Sequence, residues 1–386
     1  MNSNPNYDVI IIGSGSIGTP AALYLSQAGF KTLVIDSTAS VGQGSNKRAI
    51  GGVRATHSDP AKISLCLRSI DIFSTWQNTY GDDIEWVTGG YSFVAYREKE
   101  EQTLKDLLKV QLSYGLDIKW LDKKTIQELL PGINPVDLIG GTYSPGDGNA
   151  SSLLAMHAMY RQALKGGATF HFLESVIGYQ IEGDKIRGVI TNKGSYSAPV
   201  VINAAGGHAR PMAQLAHLDI PVTPDAHEAA ITEPVKHFLD PMVVDIRPFP
   251  GSANFYYYQH ITGQIIFCIT PSPSIWGDLI QETSTFLPMA TRRLVELMPK
   301  LTNIRVRRSW RGLYPMTPDG FPIIGWANEL QGYLYAVGMC GQGFMLGPGV
   351  AELLVRIISG KLTTKDNEIL AYLTPYREFA GQEKLK

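Results

Sequence analysis

Residues 7–36, YDVIIIGSGSIGTPAALYLSQAGFKTLVID, constrain this chain more than any other segment. A short β-branched run from Tyr7 to Ile12 enters Gly13, Gly15 and Gly18 in GxGxxG spacing. Pro20 to Ala28 then reads as a helix, and Lys31 to Ile35 as a second strand that ends in Asp36. Pro20 is tolerable there only in the first helical turn, where its missing N–H has no intrahelical partner to lose. This βαβ order predicts a dinucleotide site. The first glycine makes the tight turn, the second lets a pyrophosphate reach backbone N–H groups, and the third lets helix and strand pack closely. Ser16 and Ile17 lie within that turn, at the positive end of the helix dipole. Asp36, followed by Ser37, is placed to accept hydrogen bonds from ribose hydroxyls and to repel a 2′-phosphate.

The remaining pattern divides in kind. Helices are expected at about 60–80, in a stretch through Tyr114, at 153–166, at 285–298 and at 349–359, with strands around 86–96 and in ATFHFLESV, KIRGVITN and APVVINAAGG. From Ile220 to Tyr314 strand-like runs such as SANFYYYQHITGQIIFCIT dominate, which reads as an inserted antiparallel sheet. With 386 residues, 44% of them hydrophobic, the chain is long enough for two cores. Lys plus Arg number 34 against 35 for Asp plus Glu, without long runs of one sign, so a nucleic-acid partner is not expected. Three cysteines without CxxC spacing fit a reducing compartment, and no HxH, HExxH or His/Cys cluster points to a metal. The opening MNSNPNYD lacks the features of a secretory signal, and no apolar run is long enough to span a bilayer. A cytoplasmic protein without a transmembrane segment is expected, with peripheral membrane association left open.

NAD and FAD both use the glycine fingerprint. There is one such fingerprint, and behind Asp36 a second glycine- and serine-rich loop, TASVGQGSNKRAIGGVR, suits a wall around a longer cofactor. With GSN at 44–46, GGVR at 51–54, SPGDGNA at 144–150, VINAAGG at 201–207, WRGLYPMTPDGFPIIG at 310–325 and GMCGQGFMLGPG at 338–349, the chain resembles the FAD-dependent D-amino-acid oxidase superfamily. Within it the pattern is most similar to the FAD-bearing β subunits of archaeal dye-linked L-proline dehydrogenases, with sarcosine oxidase β subunit and glycine oxidase further off.

The resemblance implies an α/β fold of glutathione-reductase type: a Rossmann-like FAD-binding domain from 1–85, 146–218 and 318–375, and a substrate domain with a mostly antiparallel sheet from 86–145 and 219–317. Residues 376–386 are left as a tail. It implies non-covalent FAD held by the GxGxxG turn, Asp36 and Ser37, and also by Gly44, Ser45, Asn46, Gly51, Gly52, Val176, Ala205 and Gly206. Gly312, Gly338, Gly341, Gly343, Phe344 and Met345 complete that set. The helix after the glycine cluster would aim its N-terminus at the flavin, where negative charge builds up on reduction. The implied chemistry is oxidation of the C–N bond of a small amino acid. Arg54 is expected to hold the substrate carboxylate with a bidentate fork, and His57, His227, Tyr258 and Met345 to shape the substrate end.

Departures from relatives refine this. Tyr314 stands where glycine oxidases place an arginine, and Met345 where sarcosine oxidases carry a lysine. Phe267 falls near a strand lysine that oxidases use on O2. Gly312 and the NASS segment replace the residues that attach flavin covalently. The expected activity is therefore a dehydrogenase acting on L-proline or a similar amine, passing electrons to an acceptor other than O2, with a partner redox subunit or a homo-oligomer. The alternatives are a peroxide-producing oxidase of glycine, sarcosine or a D-amino acid, and a non-catalytic FAD-binding subunit. His208 and Cys340 are expected to be structural.

Overall fold

The computed structural model describes residues 6–385, so the first five residues of the MNSNPNYD stretch lie outside it. Strand β1 (Val9–Ile12), helix α1 (Gly18–Gln27) and strand β2 (Thr32–Ile35) form the expected opening unit. β1 lies between β2 and Val200–Asn203, both parallel to it. The six-stranded sheet is completed by Thr169–His171 beyond β2, and by Tyr333–Val337 and antiparallel Ile323–Trp326 on the other side. Its strands are hydrophobic on both faces because both are covered. Val9, Ile11, Val34 and Leu334 pack with α1, with helix α2 (Pro60–Tyr80) and with the helix Gly343–Ile358. Ile10, Ile12, Leu33 and Ile35 face the other way, onto a three-stranded antiparallel sheet that includes Val176–Glu182 and Lys185–Thr191.

A second sheet has eight strands, drawn from residues 91–144 and 223–316. All its neighbours are antiparallel except Met242–Asp245 and Tyr91–Ala95. Period-2 alternation sorts its side chains. Phe255, Tyr257, Ile265, Phe267 and Ile269 bury one face under the helix Phe286–Leu297. The opposite face looks toward the first sheet.

The helix α2 runs as the sequence predicts, with Asp59 capping its start through the Lys62 N–H and Gly81 ending it at φ 80°. Other elements differ from expectation, among them the short helices Lys123–Leu129 and Ala209–Gln214. The helix expected from Gly349 begins at Gly343, and Thr364–Leu373, unanticipated, forms a further helix with a Thr363/Asp366 capping box. Among the described residues no helix is long and apolar enough to cross a membrane.

Candidate active site

Between the two sheets lies a cavity of about 680 Å³. Its dinucleotide end is built at the C-terminal ends of parallel strands, where open α/β sheets bind ligands. The three fingerprint glycines have distinct surroundings. A Cβ on Gly13 would meet the Ala204 carbonyl oxygen at 2.6 Å, and one on Gly18 would meet the Gly13 carbonyl oxygen at 1.8 Å, so these two positions are closed by the chain itself. A Cβ on Gly15 would meet nothing within 4 Å, and the same holds for Gly44 and Gly206. These three glycines border open cavity. Gly18, expected against the cofactor, is therefore a packing residue that lets α1 close on β1.

Asp36 reaches the cavity, but its carboxylate is also held by its own loop. One oxygen accepts from the Ser14 N–H and hydroxyl, the other from the N–H and hydroxyl of Thr38. That second task is not signalled by its place at the end of β2. Asn46 likewise lines the cavity while accepting from the Ser16 hydroxyl and donating to the Ser152 carbonyl, which fixes the GSN loop against the fingerprint turn. Ser37, Gly44, Ser45, Gly51, Gly52, Val176, Ala205, Gly206, Gly338, Gly341, Gly343, Phe344 and Met345 all border the same cavity.

The other end is walled by one face of the eight-stranded sheet. Strand register places Ala229 beside Cys268, Cys268 beside Tyr256, and His227 beside Gly312, and all of these side chains or backbones line the cavity. Here two expectations are corrected. Tyr258 shares a face with Tyr256, but its hydroxyl donates to the Ile50 carbonyl at 2.6 Å and so pins the loop behind the wall; Tyr256 is the cavity residue. Phe267, expected near a strand lysine of the oxidases, points into the opposite core, and Cys268 and Thr270 are the residues of that strand that line the cavity. Among the described residues no lysine lines the cavity.

The structure brings a histidine and a carboxylate together beside the cavity. Nε2 of His227 lies 3.2 Å from a carboxylate oxygen of Asp225, two residues away on the same strand face. The His227 ring stacks on Tyr314 at 3.7 Å between centroids and 14° between planes. Tyr314 in turn shares a 2.7 Å hydroxyl contact with Tyr256. His227 Nδ1 is buried and has no hydrogen-bond partner among the described residues, in a side chain that borders the cavity. Burial lowers the pKa of His227 against the opposing pull of Asp225, so the imidazole is neutral at pH 7. Burial acts to raise Asp225, but the hydrogen bonds from His227, the Ile275 N–H and Ser274 together outweigh it, and the carboxyl stays below its ordinary range. The signal for this pair in the sequence was the alternate spacing DxH on a strand.

Arg54 borders the cavity and is 5% exposed. His57 does not border it, contrary to expectation. It is fully buried behind Arg54, its Nδ1 3.3 Å from the guanidinium and its Nε2 3.4 Å from Cys66 Sγ. Burial first, and then the Arg54 charge, push its pKa well down, so it is a neutral acceptor for Arg54. Cys340 contacts the Gly338 carbonyl and the Thr317 hydroxyl, and burial raises its thiol pKa. His208 lies at the cavity mouth, 3.2 Å from Asp278. No cluster of three or more His, Cys, Asp or Glu among the described residues is arranged to hold a metal.

A family model described as FAD dependent oxidoreductase, abbreviated DAO, matches residues 8–357. The chain belongs to this family. It is an FAD-dependent oxidoreductase, and the open space at Gly15, Gly44 and Gly206 is the kind of cradle a dinucleotide needs. Among solved structures, L-proline dehydrogenase from P. horikoshii is similar with a TM-score of 0.90 and 29% identity, over 97% of this chain and 98% of that one. Sarcosine oxidase subunit beta of Rhodobacter capsulatus is 22% identical over 92% of this chain and 85% of its own length. The mitochondrial sarcosine dehydrogenase of Mus musculus is 23% identical over 92% of this chain, which spans only 40% of that relative.

Proposed function

We propose that this protein dehydrogenates a small amino acid at its C–N bond, with L-proline as the first candidate, and passes the electrons to an acceptor other than O2. The observation that carries the reading is that Arg54 and the side chain of His227, whose buried Nδ1 has no hydrogen-bond partner among the described residues, border one cavity with the dinucleotide cradle. An amino acid at neutral pH has a carboxylate and an ammonium group. Arg54 is the cation for the first. His227 Nδ1, left unprotonated when Asp225 accepts the Nε2 proton, is the acceptor for a proton from the second. Bound FAD supplies the acceptor for the hydride of the α carbon. Loss of that proton from nitrogen and of the hydride from carbon turns the ammonium form of the substrate into a protonated imine, which water hydrolyses after release. Tyr314, stacked on His227 and hydrogen-bonded to Tyr256, keeps the imidazole from turning.

A cavity wall without lysine among the described residues, with the apolar Met345 in its lining, favours a dehydrogenase over an oxidase. Similarity to an L-proline dehydrogenase supports the substrate choice, and a relative named as a subunit supports a redox partner. The same reading takes residues 1–85, 146–218 and 318–375 as the FAD domain and places the protein in the cytoplasm.

The test is anaerobic flavin bleaching by L-proline, sarcosine, glycine and D-alanine. Bleaching by L-proline, with slow reoxidation in air, is expected. Absence of bleaching by every amino acid rejects the reading, whereas rapid reoxidation with peroxide makes the protein an oxidase. Arg54→Lys should raise the amino acid concentration needed for half-bleaching by about tenfold or more, since a point charge replaces a fork.

A further inference from the structure

The segment left as a tail by the sequence is folded into the molecule behind Arg54. Glu383 is 3% exposed and Leu385 fully buried. The Glu383 carboxylate accepts from the Ser58 N–H at 3.1 Å and from its hydroxyl at 2.6 Å, and lies 3.1 Å from Lys62 Nζ. Leu385 packs among Tyr91, Phe93, Met242 and Val244, which themselves wall the cavity. Its carbonyl accepts a hydrogen bond from Arg54 Nη2 at 2.5 Å. Arg54 Nη1 donates to the Thr56 carbonyl and approaches His57 Nδ1. The guanidinium plane is thus fixed from both nitrogens, once by its own loop and once by a segment more than 300 residues away in sequence.

We propose that Glu383 and Leu385 are positioning residues for the carboxylate of the substrate: Glu383 anchors the segment to Ser58 and Lys62, and the Leu385 carbonyl then sets the orientation of Arg54. The inference rests on the reading of Arg54 as the carboxylate ligand. An arginine fork discriminates through geometry, so a guanidinium free to rotate loses selectivity for a carboxylate before it loses affinity for the rest of the substrate. Other ionisable groups packed around Arg54 do not replace the anchor. His57 is neutral, Asp147 is occupied by the Ala55 N–H and Thr56 hydroxyl, and Lys62 is itself a cation.

Two variants, Glu383→Ala and a chain lacking residues 381–386, are to be compared with wild type as FAD-loaded proteins by anaerobic flavin reduction. The substrates are L-proline and pyrrolidine, the same ring without the carboxylate. The ratio of their reduction efficiencies is expected to fall by about tenfold or more in both variants, in line with the loss of a charge-assisted contact. Efficiencies that fall by the same factor for both amines mean a merely structural role and overturn the proposal. If wild type is reduced by no amino acid, the proposed function fails; if wild type is reduced and the ratio is kept in the variants, only this inference fails. Should neither variant retain FAD, hydrogen exchange on the wild-type protein decides. By reciprocity of coupling, L-proline must slow exchange in residues 381–385 while pyrrolidine leaves it unchanged, and equal effects of the two ligands refute the coupling.

Discussion

At the scale of single residues, His227 shows how a side chain gains a role from neighbours that sequence order conceals. The sequence offers His227 as a candidate for the substrate end, beside Glu228, but does not show which groups it meets. Alternation brings Asp225 and His227 to one face, the facing strand supplies Tyr314 as a stacking partner, and Nδ1 is left without a hydrogen-bond partner among the described residues. Burial lowers the pKa of the imidazole below its ordinary 6.5, so the base form is present at neutral pH and is lost as pH falls through that lowered value. Flavin reduction by an amino acid should therefore show an acid limb centred below pH 6.5. His227→Asn should remove that limb and slow reduction by roughly 10²–10⁴-fold. An unchanged limb in stopped-flow reduction across pH would assign the proton to another group. Asp225→Asn should displace the limb, because the amide no longer holds the Nε2 tautomer.

At the scale of elements, the fingerprint turn makes a sharper forecast than its consensus does. Gly15→Ala adds a methyl group to open cavity, so it should weaken FAD binding while leaving the thermal stability of the apoprotein nearly unchanged. Gly18→Ala drives a methyl group into the Gly13 carbonyl and should cost the apoprotein about 1–3 kcal/mol. Titration with FAD and melting of the two apoproteins separates the effects, and equal losses in both would contradict the division of labour. This turn, α1 and α2 were legible because pattern, caps and glycine spacing agree. The helix after the glycine cluster was legible only from Gly349 onward, since GFMLGPG carries three glycines and a proline against helix propensity. Packing overrides propensity there. A Cβ at Gly347 would lie 2.0 Å from the Ser16 carbonyl oxygen and one at Gly349 2.2 Å from that of Leu65, so these glycines let α1 and α2 press against the helix. Gly341 has the same logic, with the Tyr314 ring 2.1 Å from the place of a Cβ. The glycine cluster thus serves protein packing as much as access to the cavity.

At the scale of the whole molecule, two sheets with different alternation were readable from hydrophobic pattern, whereas the closure of the chain on itself was not. The residues GQEKLK have the composition of a solvated end, and nothing local signals that Glu383 will meet Lys62 and Ser58. The long-range partners decide it. A buried carboxylate beside an ammonium group also gives the molecule a pH signature. Burial acts to raise the pKa of Glu383, but the Lys62 ammonium first, with the Ser58 hydrogen bond and the Arg54 charge, outweighs it and holds the folded value well below the ordinary 4.5. Such a group contributes stability that is present above pH 4.5 and is lost as pH falls through the folded value. Asp147, in the SPGDGNA segment, acts in the opposite sense: burial raises it to about 6, so its contribution is full below pH 3.8 and is lost as pH rises through about 6. Glu383→Gln should lower stability at pH 7 by about 3 kcal/mol, because it leaves the buried Lys62 ammonium without its counter-ion. Its deficit against wild type should shrink steadily below pH 4.5, because the unfolded wild-type chain takes up a proton there that the folded Glu383 carboxylate does not. Urea unfolding of both proteins between pH 3 and pH 8 measures the difference. A deficit that does not vary with pH would mean that the Glu383 contact with Lys62 is not ionic in the folded protein.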